Sequence, residues 1–317
     1  MLRVVGEARR IERAIKRLQG ALKGVPARGV RLTWRGGELR TTIHWARDDR
    51  FWWAIEPRGL TSGGAGARHA LLLGHAPDAP TKRESITCEI NLPRAGVDRR
   101  VAGVIAADEK GALYLAHSGR MGGARTGQRK AGFRGFLADG VWRRLMWPDG
   151  TESEALVVAP LDSPRLTRLL GLFVDTVHRF KTGSAPIART ALFAVPEAVD
   201  SAASDCDRRL VDAALHEELA KRGLYGGTID LFSLRGERPQ PRFALVADGR
   251  PDELALAVGT LALDAARCGA GVRPILIAPA ALADREAPAL RSLPIRCVRF
   301  HWRGARAVFD GLDDALA

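Results

Sequence analysis

Residues 242–279 read RFALVADGRPDELALAVGTLALDAARCGAGVRPILIAP, and this stretch decides the structural class of the C-terminal half of the chain. The runs at its two ends are short and apolar, as buried strands are. Between them, residues 253–267 have the length and the apolar spacing of a helix. A helix between two strands predicts an α/β arrangement.

The same pattern continues on both sides of this stretch. Upstream, DRRLVDAALHEELAKRG (207–223) predicts a helix that ends at Gly223, and TIDLFSL (228–234) predicts a strand. Downstream, PIRCVRFHW (294–302) predicts a last strand. We therefore expect residues 207–317 to form one compact α/β domain.

The N-terminal half has a different pattern, with short β-like runs separated by Gly, Pro and Asp clusters, which is typical of antiparallel sheet. These runs cover residues 30–36, 39–46, 50–57, 69–76, 86–93, 100–108 and 111–119. An amphipathic helix with a strongly basic polar face is predicted over residues 2–24, and a second helix over 163–180. The sequence thus predicts a fold of mixed α+β and α/β class. It has a basic β-rich domain (1–182), a linker or crossing segment (183–206) and the α/β domain (207–317).

The densest positive charge lies in GRMGGARTGQRKAGFRG (119–135), which contains six glycines and no acidic residue. Its basic residues are Arg120, Arg125, Arg129, Lys130 and Arg134. Glycines let a backbone approach a surface closely, and guanidinium groups match pairs of phosphate oxygens. We interpret the segment as a loop that contacts phosphates, together with Arg99 and Arg100, which precede a strand. A solvated loop without a ligand is the alternative.

Composition limits the remaining classes of function. Lys and Arg number 49 against 36 Asp and Glu, giving a net charge of +13, which favours a polyanionic partner. The four cysteines lie far apart, so neither a zinc site nor a disulfide framework is indicated. The N-terminus carries acidic residues where a signal peptide would be apolar, and we expect a cytoplasmic protein with no membrane partner.

Two adjacent tryptophans offer a candidate for base stacking. If residues 50–57 form a strand, the side chains of Trp52 and Trp53 point to opposite faces, so one of them could face outward. An outward indole could stack on a base. The alternative is that both rings are core residues.

The order of elements from residue 205 to 310 resembles the PD-(D/E)XK restriction-endonuclease-like fold. The resemblance rests on the helix 207–223, the strands TIDLFSL and RFALVADG, the helix LALAVGTLALDAA, and the strands RPILIAP and IRCVRFHW. In that family a carboxylate on the second strand and an acidic–X–Lys triplet on the third hold Mg²⁺ and position the attacking water. Asp230 matches the first carboxylate, whereas the triplet reads Leu245-Val246-Ala247.

This departure predicts an inactive nuclease-like domain, because one carboxylate cannot assemble a magnesium site. Relocated acids could rescue the site, and Glu217, Asp248 and Glu253 are the candidates. We therefore expect no catalytic residue and no cofactor, with Mg²⁺ required only if such a rescue holds. Residues 86–136 and 146–181 resemble a module of uncharacterised bacterial proteins that carry nuclease-type C-terminal domains.

The leading hypothesis is a nucleic-acid-binding protein of bacterial restriction or antiphage type with a pseudo-nuclease domain, and we expect DNA in preference to RNA. One alternative is an active Mg²⁺-dependent endonuclease with relocated acids. Another is an interaction subunit whose protein partner is encoded nearby. Phosphate contacts carry no information about sequence, so the residues leave the strandedness and the sequence specificity open.

Overall fold

A computed structural model describes residues 1–34, 37–56, 68–121, 130–138, 140–184, 201–224 and 240–317. The expected mixture of α and β structure is confirmed. The chain divides into two compact units, Met1–Pro186 and Ile187–Ala317, and this division falls within the predicted segment 183–206.

The N-terminal unit contains eleven described strands and three α-helices. The strands are β1 (Leu2–Val4), β2 (Val25–Trp34), β3 (Gly37–Ala46), β4 (Phe51–Glu56), β5 (Arg68–His75), β6 (Arg83–Ser85), β7 (Cys88–Pro93), β8 (Gly103–Ala107), β9 (Leu113–His117), β10 (Trp142–Met146) and β11 (Glu152–Pro160). The helices are α1 (Ala8–Ala21), α2 (Lys130–Phe136) and α3 (Leu166–Thr182).

Five of these strands close into a small barrel in the order β1-β10-β11-β9-β8. The closure depends on β1, which pairs with β10 in parallel and with β8 in antiparallel register. The prediction that the first helix starts at residue 2 is therefore wrong. Leu2 to Val4 are strand because their partners are supplied by residues 100 positions or more further along the chain, which a local periodicity does not reveal.

The other six strands form a sheet in the order β6-β2-β3-β4-β5-β7. All of its neighbours are antiparallel except β2 and β6, which are parallel. One face carries an apolar cluster that includes Leu32, Ile43, Trp52 and Leu72. α1 contributes a separate buried stripe, Ile11, Ala14, Ile15 and Leu18, at the spacing of an amphipathic helix.

The C-terminal unit is built around a four-stranded sheet in the order β12-β13-β14-β15. Its elements are α4 (Ala202–Lys221), β12 (Gln240–Leu245), α5 (Pro251–Cys268), β13 (Val272–Pro279), α6 (Ala280–Arg285), α7 (Ala287–Arg291), β14 (Arg296–Arg303), β15 (Arg306–Asp310) and α8 (Leu312–Leu316). The first three strands are mutually parallel and β15 is antiparallel to β14.

Alternate residues of these strands enter two separate cores, so the sheet lies between two layers of helices. Phe243 and Leu245 pack with Val211 and Leu215 of α4. Ala244 and Val246 pack with Ala257 and Leu261 of α5 and with residues of α6 and α7. The parallel strand–helix–strand unit indicated by residues 242–279 is thus the centre of this domain.

Several details of the C-terminal prediction change. α4 begins at Ala202, where the Ser201 hydroxyl accepts a hydrogen bond from the Ser204 amide (3.1 Å), so residues 202–206 belong to this helix and not to a linker. The predicted strand 228–234 lies outside the described residues. Four short elements were not predicted from the sequence, namely α6, α7, β15 and α8.

One described helical segment, Pro251–Gly271, is long and apolar enough to cross a membrane by length and composition alone. In this unit it contains α5, which packs against the sheet through Ala257 and Leu261.

Candidate nucleic-acid interface

Arg99 and Arg100, two of the predicted phosphate contacts, are both held by carboxylates. Arg99 donates to both oxygens of Asp149 (2.8 Å each) and to the Thr151 hydroxyl, and its guanidinium lies 4.8 Å from the centroid of the Trp147 ring. Arg100 donates to Asp98 through Nε (3.0 Å) and Nη2 (3.1 Å). These pairs neutralise part of the positive charge that the sequence places here.

The arginines around Asp98 stabilise its charged form. The side-chain hydrogen bond from Arg100, with further contributions from the Arg100 amide and from Arg68, lowers the pKa of Asp98 to about 2. Asp98 also forms an ion pair with Arg68 (3.0 Å) in which both side chains are largely buried. Asp98 is therefore a fixed carboxylate that a phosphate would have to displace from Arg100.

Arg120 and Arg134 lie in two different settings. Arg120 Nη1 donates to the Arg99 carbonyl oxygen (3.3 Å), which brings Arg120 next to the Arg99–Arg100 pair. Arg134 instead pairs with Glu154 (3.3 Å) and stacks over the ring of Trp142 at 4.8 Å. The β10–β11 hairpin and its connecting turn thus supply the carboxylates for both Arg99 and Arg134.

The segment 119–135 is not a loop throughout. Residues 130–136 form α2, and Phe133 is fully buried, with its ring 5.2 Å from the ring of Phe180 in an edge contact. An aromatic anchor supplies the apolar burial that the glycines lack, so the interpretation of the whole segment as a loop is wrong for residues 130–136. Arg125 and Arg129 lie outside the described residues, and of Lys130 only the backbone is described.

Trp52 and Trp53 do not offer a stacking surface. Trp52 is 0% exposed and Trp53 is 3% exposed. β4 lies inside the six-stranded sheet, and both faces of the sheet are covered at this strand. The Trp53 ring stacks on His44 at 4.3 Å, and its indole nitrogen donates to the Lys23 carbonyl oxygen (2.9 Å). The prediction that one of the two indoles stacks on a base is wrong.

A row of exposed positive charge in the described N-terminal unit lies on α1. Arg9, Arg13 and Lys16 are exposed, opposite the buried stripe, at spacings of four and three residues that place them in one row along the helix. In the described part of the chain none of the three has a carboxylate within 4 Å. By contrast, the neighbouring Arg10 and Arg17 pair with Glu7 (3.5 Å) and Asp162 (3.0 Å).

An open groove runs between α1 and the turn that follows β7. It is lined by Ala8, Arg9, Glu12, Arg13, Arg94 and Ala95. Arg94 is exposed and has no carboxylate partner among the described residues. Glu12 is the single acid of the groove, and its carboxylate lies 3.3 Å from Nε2 of the buried His69. The groove therefore carries three cations against one acid.

Part of this site could be read from the sequence, because the amphipathic period of the first helix already gave it a basic polar face. The pairing of Arg10 with Glu7 is local, but the exclusion of Arg17 required the tertiary structure, since its partner Asp162 is distant in sequence. His117, which precedes the basic segment, is buried and accepts a hydrogen bond from the Gly119 amide (3.0 Å). Burial lowers the pKa of His117 to about 4, so it is a neutral core residue.

The residues expected to occupy the position of the nuclease triplet lie in the core of the C-terminal unit. Leu245, Val246 and Ala247 are all buried, with Leu245 and Val246 on opposite faces of the sheet. Asp230 lies outside the described residues. At the described end of β12, the three positions carry apolar side chains that pack in the core.

The acids that could have relocated are each engaged with an arginine. The Glu253 side chain is fully buried; its Oε1 accepts from Arg208 (2.6 Å) and from the Ala247 amide (3.2 Å). Asp248 pairs with Arg250 (2.9 Å), and Glu217 lies 3.6 Å from Arg306. Burial raises the pKa of Glu253, and its hydrogen bond with Asp248 raises it further. Glu253 and Asp248 thus lie against each other, and among the described residues they belong to no group of three or more metal-ligating side chains.

The described residues contain no group of three or more His, Cys, Asp or Glu side chains that could hold a metal ion. The described surface of the N-terminal unit carries exposed guanidinium and ammonium groups, which are groups that can bind anions. Comparisons with family models, with curated proteins and with solved structures found no match to this chain.

Proposed function

We propose that the protein binds nucleic acid, chiefly through phosphate contacts made by its N-terminal unit. The observation that carries the proposal is the row of Arg9, Arg13 and Lys16 on α1, with Arg94 across the groove. Exposed cations without carboxylate partners are free to replace condensed counterions on a phosphate backbone. The net charge of +13 adds a long-range attraction for the same partner.

The proposal extends to a restriction or antiphage role in which the C-terminal unit is a pseudo-nuclease. Its support is the resemblance in element order over residues 205–310 and the apolar triplet Leu245-Val246-Ala247. The engagement of Glu217, Asp248 and Glu253 with arginines disfavours the alternative of an active endonuclease. DNA is the favoured ligand, and a protein partner encoded nearby and a cytoplasmic location belong to the same proposal.

Replacing Arg9, Arg13 and Lys16 together with alanine is expected to weaken nucleic-acid binding to the same degree for all sequences. Each lost phosphate contact should make the slope of log K against log salt about 0.9 shallower for duplex DNA, hence about 3 for the triple variant. The slope is measured by fluorescence anisotropy with a labelled 20-base-pair duplex between 50 and 200 mM salt.

The matched control is Arg10→Ala with Arg17→Ala, which removes two charges from the same helix. Both residues are paired with acids, so the loss of slope per charge should be smaller than in the triple variant. Equal losses per charge would show that total charge, and not the α1 row, decides binding. A wild-type protein that binds no duplex at 50 mM salt would refute the proposed function.

Added Mg²⁺ or Mn²⁺ is expected to produce no cleavage of plasmid or single-stranded DNA, because a lone carboxylate does not assemble an inner-sphere metal site. Asp230→Ala should likewise leave DNA binding unchanged. Gel analysis of the DNA after incubation checks this directly. Metal-dependent cleavage that disappears in the Asp230→Ala protein would instead establish the endonuclease alternative.

A further inference from the structure

Strand pairing aligns three arginines that are far apart in sequence. Arg31 of β2 lies directly opposite Arg40 of β3 on one side and opposite Arg83 of β6 on the other. All three are exposed. Directly paired residues project to the same face of a sheet, so these side chains form one row across three strands, which we call the arginine row. At about 4.8 Å between strands, the row spans about 10 Å.

Such a row is unfavourable for the sheet by itself. Like charges directly opposite each other on neighbouring strands are destabilising. One acid offsets the row in part, because Glu38 lies 3.3 Å from Arg31. Arg40 donates weakly to the Gly29 carbonyl oxygen (3.5 Å), and neither Arg40 nor Arg83 has a carboxylate within 4 Å in the parts of the chain that the structure describes. Repulsion within the row is therefore largely uncompensated.

The surroundings of the row suit an anion. Thr33 lies two residues beyond Arg31 on the same face and is paired with Ser85 of β6. Both residues are exposed, and their hydroxyl groups can donate hydrogen bonds to phosphate oxygens. The edge of the sheet thus combines three guanidinium groups with two hydroxyl donors and a single acid.

The row also lies on the face of the sheet that carries the C-terminal end of α1. Arg40 and His44 are four residues apart on β3 and so share one face. His44 stacks on Trp53, whose indole nitrogen donates to the carbonyl oxygen of Lys23, two residues after α1 ends. A nucleic-acid strand that contacts the basic face of α1 would therefore have the arginine row on the same side of the N-terminal unit.

We propose that Arg31, Arg40 and Arg83, with the hydroxyls of Thr33 and Ser85, form a second phosphate-binding surface for the same nucleic acid. This inference rests on the proposed function. It adds a second part of the protein surface along which the nucleic acid would run. A phosphate backbone resolves the repulsion, because it places anionic charge between the guanidinium groups. Contacts of this kind fix the position of the strand without reading its bases.

The test is the double variant Arg40→Ala with Arg83→Ala in the full-length chain. The probes are a labelled 20-nucleotide oligo(dT) and a labelled 20-base-pair duplex, titrated in parallel. With the duplex, the salt slope should become shallower by about 2, and the melting temperature should stay the same or rise because repulsion is relieved. The variant Arg40→Lys with Arg83→Lys should keep most of the slope.

The control for charge alone is Arg267→Ala with Arg291→Ala, two exposed arginines of the C-terminal unit, which should leave the slope nearly unchanged. If the Arg40 and Arg83 variant binds both probes like wild type, the arginine row is not a binding surface, while the proposed function stands on the α1 result. Weaker binding together with a lower melting temperature would indicate a structural role and overturn the inference. Wild-type protein that binds anionic phospholipid vesicles but neither oligonucleotide would overturn both proposals.

Discussion

Trp52→Ala is expected to lower the free energy of unfolding of the N-terminal unit by about 3–5 kcal/mol, the range for removing a fully buried large aromatic side chain. Trp52 is 0% exposed and packs in the apolar cluster with Leu32, Ile43 and Leu72. Its indole nitrogen has no hydrogen-bond partner among the described residues, so Trp52→Phe should cost much less than the alanine variant. Urea denaturation followed by hydrogen exchange of peptides from β4 and β5 measures the loss in this unit.

The contact between Trp52 and Gly74 gives this prediction a second, sharper form. A Cβ atom added at Gly74 would lie 2.1 Å from Cε2 of Trp52, so Gly74→Ala should be strongly destabilising. In the Trp52→Phe background the same substitution should cost less, since the smaller ring leaves room for the methyl group. Gly20→Ala is the matched control, because nothing lies within 4 Å of its added Cβ in α1. Additive costs for Gly74→Ala and Trp52→Phe would contradict the packing described here.

Arg208→Met is expected to destabilise the C-terminal unit by about 3–5 kcal/mol at neutral pH, because it leaves the carboxyl group of Glu253 buried without its cation. Glu253 links α5 to Arg208 of α4 and to the amide of Ala247 after β12, so the variant removes the ionic contact between α4 and α5. Hydrogen exchange of peptides from β12 and β13 in the full-length protein measures the effect.

The pH dependence of the Arg208→Met variant follows from the direction in which the pKa of Glu253 moves. Burial already raises the pKa of Glu253, and loss of Arg208 raises it further. When folding raises the pKa of a carboxyl group, the free energy of unfolding falls as the pH rises above the pKa of that group in the unfolded chain. The loss of stability in the Arg208→Met variant should therefore be larger at pH 8 than at pH 5. Arg299→Met, which breaks the exposed pair with Asp284, should cost under about 1 kcal/mol. Equal costs for the two variants would show that Arg208 and Glu253 are not a buried pair.

Much of the secondary structure could be predicted because its signals are local. The short β-like runs bounded by Gly, Pro and Asp in the N-terminal half depend only on neighbours in sequence, as does the strand–helix–strand pattern of residues 242–279. The short elements were missed for the same reason, since β1 and β15 are strands of three and five residues that gain their stability from distant partners. The helical residues 130–136 were hidden among glycines and arginines, and the burial of Phe133 is what places α2 in the core.

The candidate site shows more clearly the difference between what local sequence signals predict and what distant contacts decide. Counting charges along the chain located the basic segment 119–135, but it could not show that Asp149 and Glu154 neutralise Arg99 and Arg134. It also could not show that both indoles at positions 52 and 53 are covered, because a strand has two faces and burial depends on what packs against each.

The sequence by itself determined the mixed α and β class, the basic excess and the basic polar face of α1, all of which follow from composition and local period. The tertiary structure alone decided which of those charges remain available. Arg31, Arg40 and Arg83 meet only because β3, β2 and β6 pair in one register, and a shift of one residue would send Arg31 to the opposite face. Strand register is set by packing over the whole sheet, and no single segment of the sequence contains it.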